Sequence, residues 1–118
     1  MRKRLLSFKY AFRGIGHAFS EPNFRVHIAA ALAVSSLGYW LGLSPLEWCA
    51  VLLCFAAVMS AEAMNSAVEK LTDLVSPGRH ELAGKAKDMA AGAVLISAIM
   101  AAAIGCIIFL PKLAQRLG

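Results

Sequence analysis

The stretch AEAMNSAVEKLTD, residues 61–73, places two glutamates, an asparagine and an aspartate directly after an almost wholly apolar run. At 100° per residue, Glu62, Asn65, Glu69 and Asp73 fall within an arc of about 80°, with Ser66 beside them. They form a stripe on one helix face. A carboxylate inside a membrane helix costs roughly 2.5–3.5 kcal/mol on insertion scales, so its presence points to function. Glu62 and Glu69 lie about 10 Å apart along a helix axis, too far to chelate one metal ion. The spacing suits a division of labour. Glu62 is embedded deepest, and a carboxylate held out of water readily takes a proton, which suits a general base. Glu69 is nearer the polar end. It suits magnesium, which binds one or two carboxylates together with substrate phosphates. Asp73 reads as the solvated end of the helix.

Two other polar clusters could join this chemistry. In SEPNFR, Glu21 reads equally as a second metal carboxylate or as an acidic residue stabilising a helix N-terminus. In HELAGKAKDMAAGAV, Lys87 and Asp88 stand where a third apolar segment begins. A lysine there can hold phosphate as a point charge, and a helix N-terminus adds aligned N–H groups. Lys85 reads as a residue reaching for lipid headgroups. Gly78 to Gly84-Lys85 mimics a phosphate loop but has five residues between the glycines, Ala86 after the lysine and no preceding strand, so it is excluded. Cys49, Cys54 and Cys106 lie in apolar runs without ligand spacing, and His17, His27 and His80 form no metal-binding pair.

The elements that must position these residues are helices in a membrane. Of 118 residues 59% are hydrophobic and only 16% charged, more apolar than a small soluble domain can hide. Three apolar segments, 26–43, 46–68 and 90–110, each approach the ~20 residues a spanning helix requires. Ser44 and Pro45 suit the start of the second, and Pro111 is expected to close the third. Gly38 and Gly42 make a small-xxx-small pair through which helices can approach closely. Leu5, Phe8, Phe12, Ile15 and Phe19 share one face of an N-terminal helix over 1–19, with basic residues elsewhere on the wheel, as in a helix lying on a membrane surface. The break is expected near Ser20–Pro22, with Ser20 as cap of the next helix. A cleaved signal peptide fits poorly, because the residues before AAALAV are too long and aromatic for its basic region.

The net charge of +5 belongs with membrane orientation and anionic headgroups rather than nucleic acid. Six Lys or Arg residues lie in 1–25, four in 70–88, none in the 44–47 turn and two after 110. The N-terminus and the 70–88 loop are therefore expected in the cytoplasm; the two C-terminal charges run against that bias. The chain reads as one all-α membrane domain over 1–118, oligomeric because three spans offer little interior. Its polar end suits either magnesium–nucleotide chemistry on a lipid or a proton or cation pathway through Glu62.

EAMNSAVEKLTD, KAKDMAAGAV and SEPNFRVH, in this order along 5–112 apart from the last, which precedes the first span, resemble the small integral-membrane prokaryotic diacylglycerol and undecaprenol kinases. The resemblance implies transfer of phosphate from ATP to a membrane lipid alcohol with Mg2+, in a homotrimer of three spans plus a surface helix, in the bacterial cell membrane. It implies Glu62 as proton acceptor, Asn65 as orienting residue, and Glu21 and Glu69 as metal ligands. It places Lys87 and Asp88 against ATP, with Gly78, Arg79 and His80 along its phosphates. EPNFRVH, LEW and FLPKL resemble the undecaprenol branch more than the enterobacterial diacylglycerol branch; both lipids present a hydroxyl at the interface.

Overall fold

The computed structural model describes residues 1–118 as four helices and no strand: α1 (Arg2–Phe19), α2 (Pro22–Leu41), α3 (Pro45–Val75) and α4 (Glu81–Leu117). The last three are long and apolar enough to cross a membrane. The chain is therefore a multi-pass membrane protein. At 1.5 Å per residue α3 and α4 run about 46 and 55 Å, well beyond the ~30 Å hydrocarbon layer. Their polar ends must project from it, and both the 62–73 stripe and Lys87 ride on those ends.

Local chemistry explains each turn. Pro22 occupies the first turn of α2, and a residue before proline is driven to extended backbone. Glu21, at φ −81° and ψ 128°, is accordingly the N-cap residue. Ser20, expected to cap α2, instead donates its hydroxyl to the His17 carbonyl at the end of α1. Arg25 Nε donates to the Phe19 carbonyl at 2.7 Å, and Phe19 and Phe24 stack edge to face, so the α1–α2 corner is held from three sides. At the other end, Gly42 adopts φ +74° and closes α2 with a left-handed residue. Ser44 and Glu47 then form a reciprocal capping box at the start of α3.

One sequence expectation takes a specific form here and another changes. The close approach expected at Gly38 is made within the chain. A Cβ at Gly38 would stand 2.9 Å from Leu43 Cδ1 and 3.0 Å from the Trp48 ring, so its space is taken by the α2–α3 turn of its own chain. Pro111 does not close α4; the helix continues through it to Leu117. One missing N–H inside a long helix is tolerated when neighbouring groups hold both sides. Here Ile108 and Phe109 pack in the core before Pro111, and after it Lys112 pairs with Glu47 at 3.1 Å and the Arg116 guanidinium lies 4.7 Å over the Trp40 ring. The two C-terminal cations are thus partnered beside the α2–α3 turn, which accounts for their presence at that end.

The hydrophobic core, Leu43, Val51, Ile108 and Phe109 with Leu37, Trp48 and Phe55 against it, sits at the same end. The polar residues gather at the opposite end. The protomer measures 55 × 41 × 20 Å, so it is about two helix diameters thick. Only 10 of 118 residues are buried in it. Most of its apolar side chains therefore face outward, as lipid or a second chain would require.

Candidate active site

Two of the ten buried residues are polar, and both belong to the stripe: Glu62 (3% exposed) and Asn65 (7%). They lie on α3 where it leaves the apolar layer. Asn65 Nδ2 donates to Glu69 Oε1 at 3.3 Å, so two neighbours in the stripe are joined directly. The Asn65 amide oxygen is buried without a hydrogen-bond partner. A buried polar atom left unpaired is rare and costly. Glu62 makes no side-chain hydrogen bond. Its one neighbour within ion-pair distance is His27 on α2, with Nε2 3.4 Å from Glu62 Oε2. Periodicity along one helix carries no signal for His27, because this contact joins residues 35 positions apart.

Glu21 sits at the α1–α2 corner and accepts from the Lys70 ammonium on α3. That contact draws Glu21 toward the turn of α3 that also carries Glu69. Glu69 itself is exposed. Both residues offer hard carboxylate oxygens, and the unpaired Asn65 oxygen adds a neutral one. Such donors suit a magnesium ion completed by phosphate oxygens. No group of three His, Cys, Asp or Glu side chains gathers in the protomer.

Beyond the stripe, the Ser76–His80 connection and the first turns of α4 enclose a polar cleft of about 530 Å³. Gly78, Arg79, His80, Lys87 and Asp73 line it, so the loop residues and the lysine come together as one surface; Asp88 does not line it. Lys87 lies nearly two turns inside α4, because the helix starts at Glu81 and not at the apolar segment. The helix N-terminus is therefore at the loop. There His80 Nδ1 accepts from the Leu82 amide at 3.1 Å, leaving its other nitrogen for the cleft. Asp73 is not merely a solvated helix end. It accepts from the Lys87 ammonium of α4 at the mouth of the cleft. The arrangement sets a buried carboxylate, exposed carboxylates and a basic cleft along one end of the helices.

Residues 9–109 match the family described as prokaryotic diacylglycerol kinase. The chain is 45% identical over 108 residues to an undecaprenol kinase of Bacillus subtilis, covering 91% of this chain and 88% of the relative. It is 41% identical over 111 residues to a diacylglycerol kinase of Synechocystis, covering 92% of this chain and 63% of that longer protein. It is 34% identical over 100 residues to a diacylglycerol kinase of Escherichia coli, covering 84% and 82%.

Proposed function

The chain belongs to the prokaryotic diacylglycerol kinase family, and on that premise we propose that it is an ATP-dependent lipid kinase acting on the hydroxyl of a membrane lipid alcohol. The observation that carries the mechanism is the burial of Glu62 on the same helix face as exposed Glu69, at the same end of the helices as the cleft of Arg79, His80 and Lys87. The residues 1–118 act as one catalytic domain.

Phosphoryl transfer depends on positioning and charge neutralisation more than on covalent help. The lipid oxygen attacks the γ-phosphorus of ATP. A new P–O bond forms, the bond to the bridging oxygen of ADP breaks, and the hydroxyl proton passes to Glu62. Lys87, Arg79 and the loop around Gly78 and His80 hold the phosphates by charge and by backbone amides. Asp88 contacts the nucleotide. Asn65 orients Glu69 and offers its free oxygen to the site. Glu21 and Glu69 would hold Mg2+, which supplies charge neutralisation on the phosphate oxygens. The alternative, proton or cation passage through Glu62, leaves the basic cleft without a role.

α1 lies on the bilayer surface with Leu5, Phe8, Phe12, Ile15 and Phe19 turned to lipid; all five are exposed in the protomer. The charge bias puts the N-terminus and the site in the cytoplasm of a bacterial cell, so that soluble ATP meets a lipid headgroup at the inner membrane. The thin protomer assembles as a homotrimer that covers its outward apolar faces. The identity to the Bacillus subtilis relative favours undecaprenol over diacylglycerol.

The test uses the full chain in mixed micelles with labelled ATP, magnesium and either undecaprenol or diacylglycerol. Labelled lipid is expected with both and faster with undecaprenol. No labelled lipid from either acceptor sinks the proposal.

A further inference from the structure

We propose that His27, at the edge of an apolar cavity, is a positioning residue for Glu62: it fixes one oxygen of the proton-accepting carboxylate and leaves the other for the acceptor hydroxyl. The inference rests on the kinase reading above. Three observations carry it. His27 Nε2 lies 3.4 Å from Glu62 Oε2, and no other basic side chain stands within ion-pair distance of that carboxylate. Glu62 is almost wholly buried and makes no hydrogen bond of its own, so no other polar side chain in the protomer orients its carboxylate. His27 is also the one strongly polar side chain lining a cavity of about 300 Å³ between α2, α3 and α4. The other walls include Val34, Phe55, Val58, Ile104 and Phe109.

His27 therefore belongs to two environments. One edge of its ring faces a hydrocarbon-lined space, and Nε2 faces the base. Its side chain is 28% exposed, against 5% for that of Glu62, so the imidazole is the more accessible partner. A base oriented by a third group is the recurring arrangement in proton-transfer sites, because misdirected lone pairs take up protons slowly. With Nε2 3.4 Å from Oε2, a small rotation of the ring turns an N–H onto that oxygen; the contact supplies the orientation and places one compensating donor beside a carboxylate taken out of water.

The amide side chains give a test that packing alone would not reproduce. A glutamine nitrogen reaches about as far from the backbone as imidazole Nε2, whereas an asparagine nitrogen falls short by one methylene. The full chain carrying His27→Gln, His27→Asn or His27→Ala is compared with wild type and Glu62→Gln in the micelle assay. Helix content and oligomer size are measured in parallel. Asn and Ala variants are expected to lose about tenfold or more in kcat with KM for ATP unchanged. The Gln variant is expected to retain most of kcat. Equal losses in the Gln and Asn variants, wild-type kcat in all three, or a loss confined to KM for ATP overturns the role of His27. Wild-type protein that phosphorylates neither lipid overturns the kinase reading and this inference with it. Active wild type alongside an active Glu62→Gln protein overturns Glu62 as base.

Discussion

The Lys87 ammonium on α4 lies 2.5 Å from Asp73 Oδ1 on α3, so a cation lining the basic cleft is already engaged by an acid of the same cleft. Any phosphate that Lys87 holds must compete with Asp73. Both side chains are largely open to water, which screens the pair and makes it a poor anchor for the fold. Asp73→Asn should therefore leave thermal unfolding unchanged while lowering KM for ATP several-fold at low salt, an effect that shrinks as salt is added. Lys87→Ala should cost about 100-fold in turnover. Steady-state kinetics at two ionic strengths read both effects. A higher KM in the Asp73→Asn protein would mean that the acid orients Lys87 rather than competing for it.

Lys70 stands on Glu21 as a resident cation. If Glu21 is a metal ligand, the ammonium and the ion contend for the same carboxylate. Lys70→Gln is expected to lower the magnesium concentration for half-maximal activity several-fold, with little change in maximal rate, because an exposed ammonium is released without a large cost. A magnesium titration at saturating ATP decides it; an unchanged or raised half-saturation point removes Glu21 from the metal site.

Asn65 bridges the buried and exposed halves of the stripe. Its donor holds Glu69, and a hydrogen bond to a charged group contributes roughly 1.5–3 kcal/mol. Asn65→Ala should therefore reduce kcat by about tenfold or more and raise the magnesium requirement. Asn65→Asp should be worse, because it sets a second carboxylate against Glu69. Isothermal titration with magnesium and a non-hydrolysable ATP analogue separates weakened ion binding from slowed chemistry.

Gly38 lies at the far end, where the site predicts no effect on chemistry. Ala at this position meets Leu43 Cδ1, which can shift, and the Trp48 ring, which is stiffer. Gly38→Leu overfills the turn and should destabilise the fold by about 1–3 kcal/mol. The expected result is a lower Tm in detergent with kcat per folded molecule unchanged. A proportionate loss of kcat in fully folded protein would show that the two ends are coupled.

The sequence by itself determined the membrane class, the three spans and the stripe at 62, 65, 69 and 73. These are local properties: hydropathy sums over a window, and a face follows from 100° per residue. The capping of α3 by Ser44 and the turn at Ser20–Pro22 were legible for the same reason, since caps and prolines act within a few residues. Helix continuation through Pro111 was not, because it is supported by Lys112 on Glu47 and Arg116 on Trp40, side chains brought from two other helices. The pairs that define the candidate site, His27 with Glu62, Lys70 with Glu21 and Lys87 with Asp73, were hidden likewise. Periodicity places a residue on a face but leaves the rotation and height of each helix against its neighbours open. Those are set by packing, including the turn that seats Leu43 and Trp48 against Gly38. Only the tertiary structure, by fixing how the helices are rotated against one another, decides which charges meet.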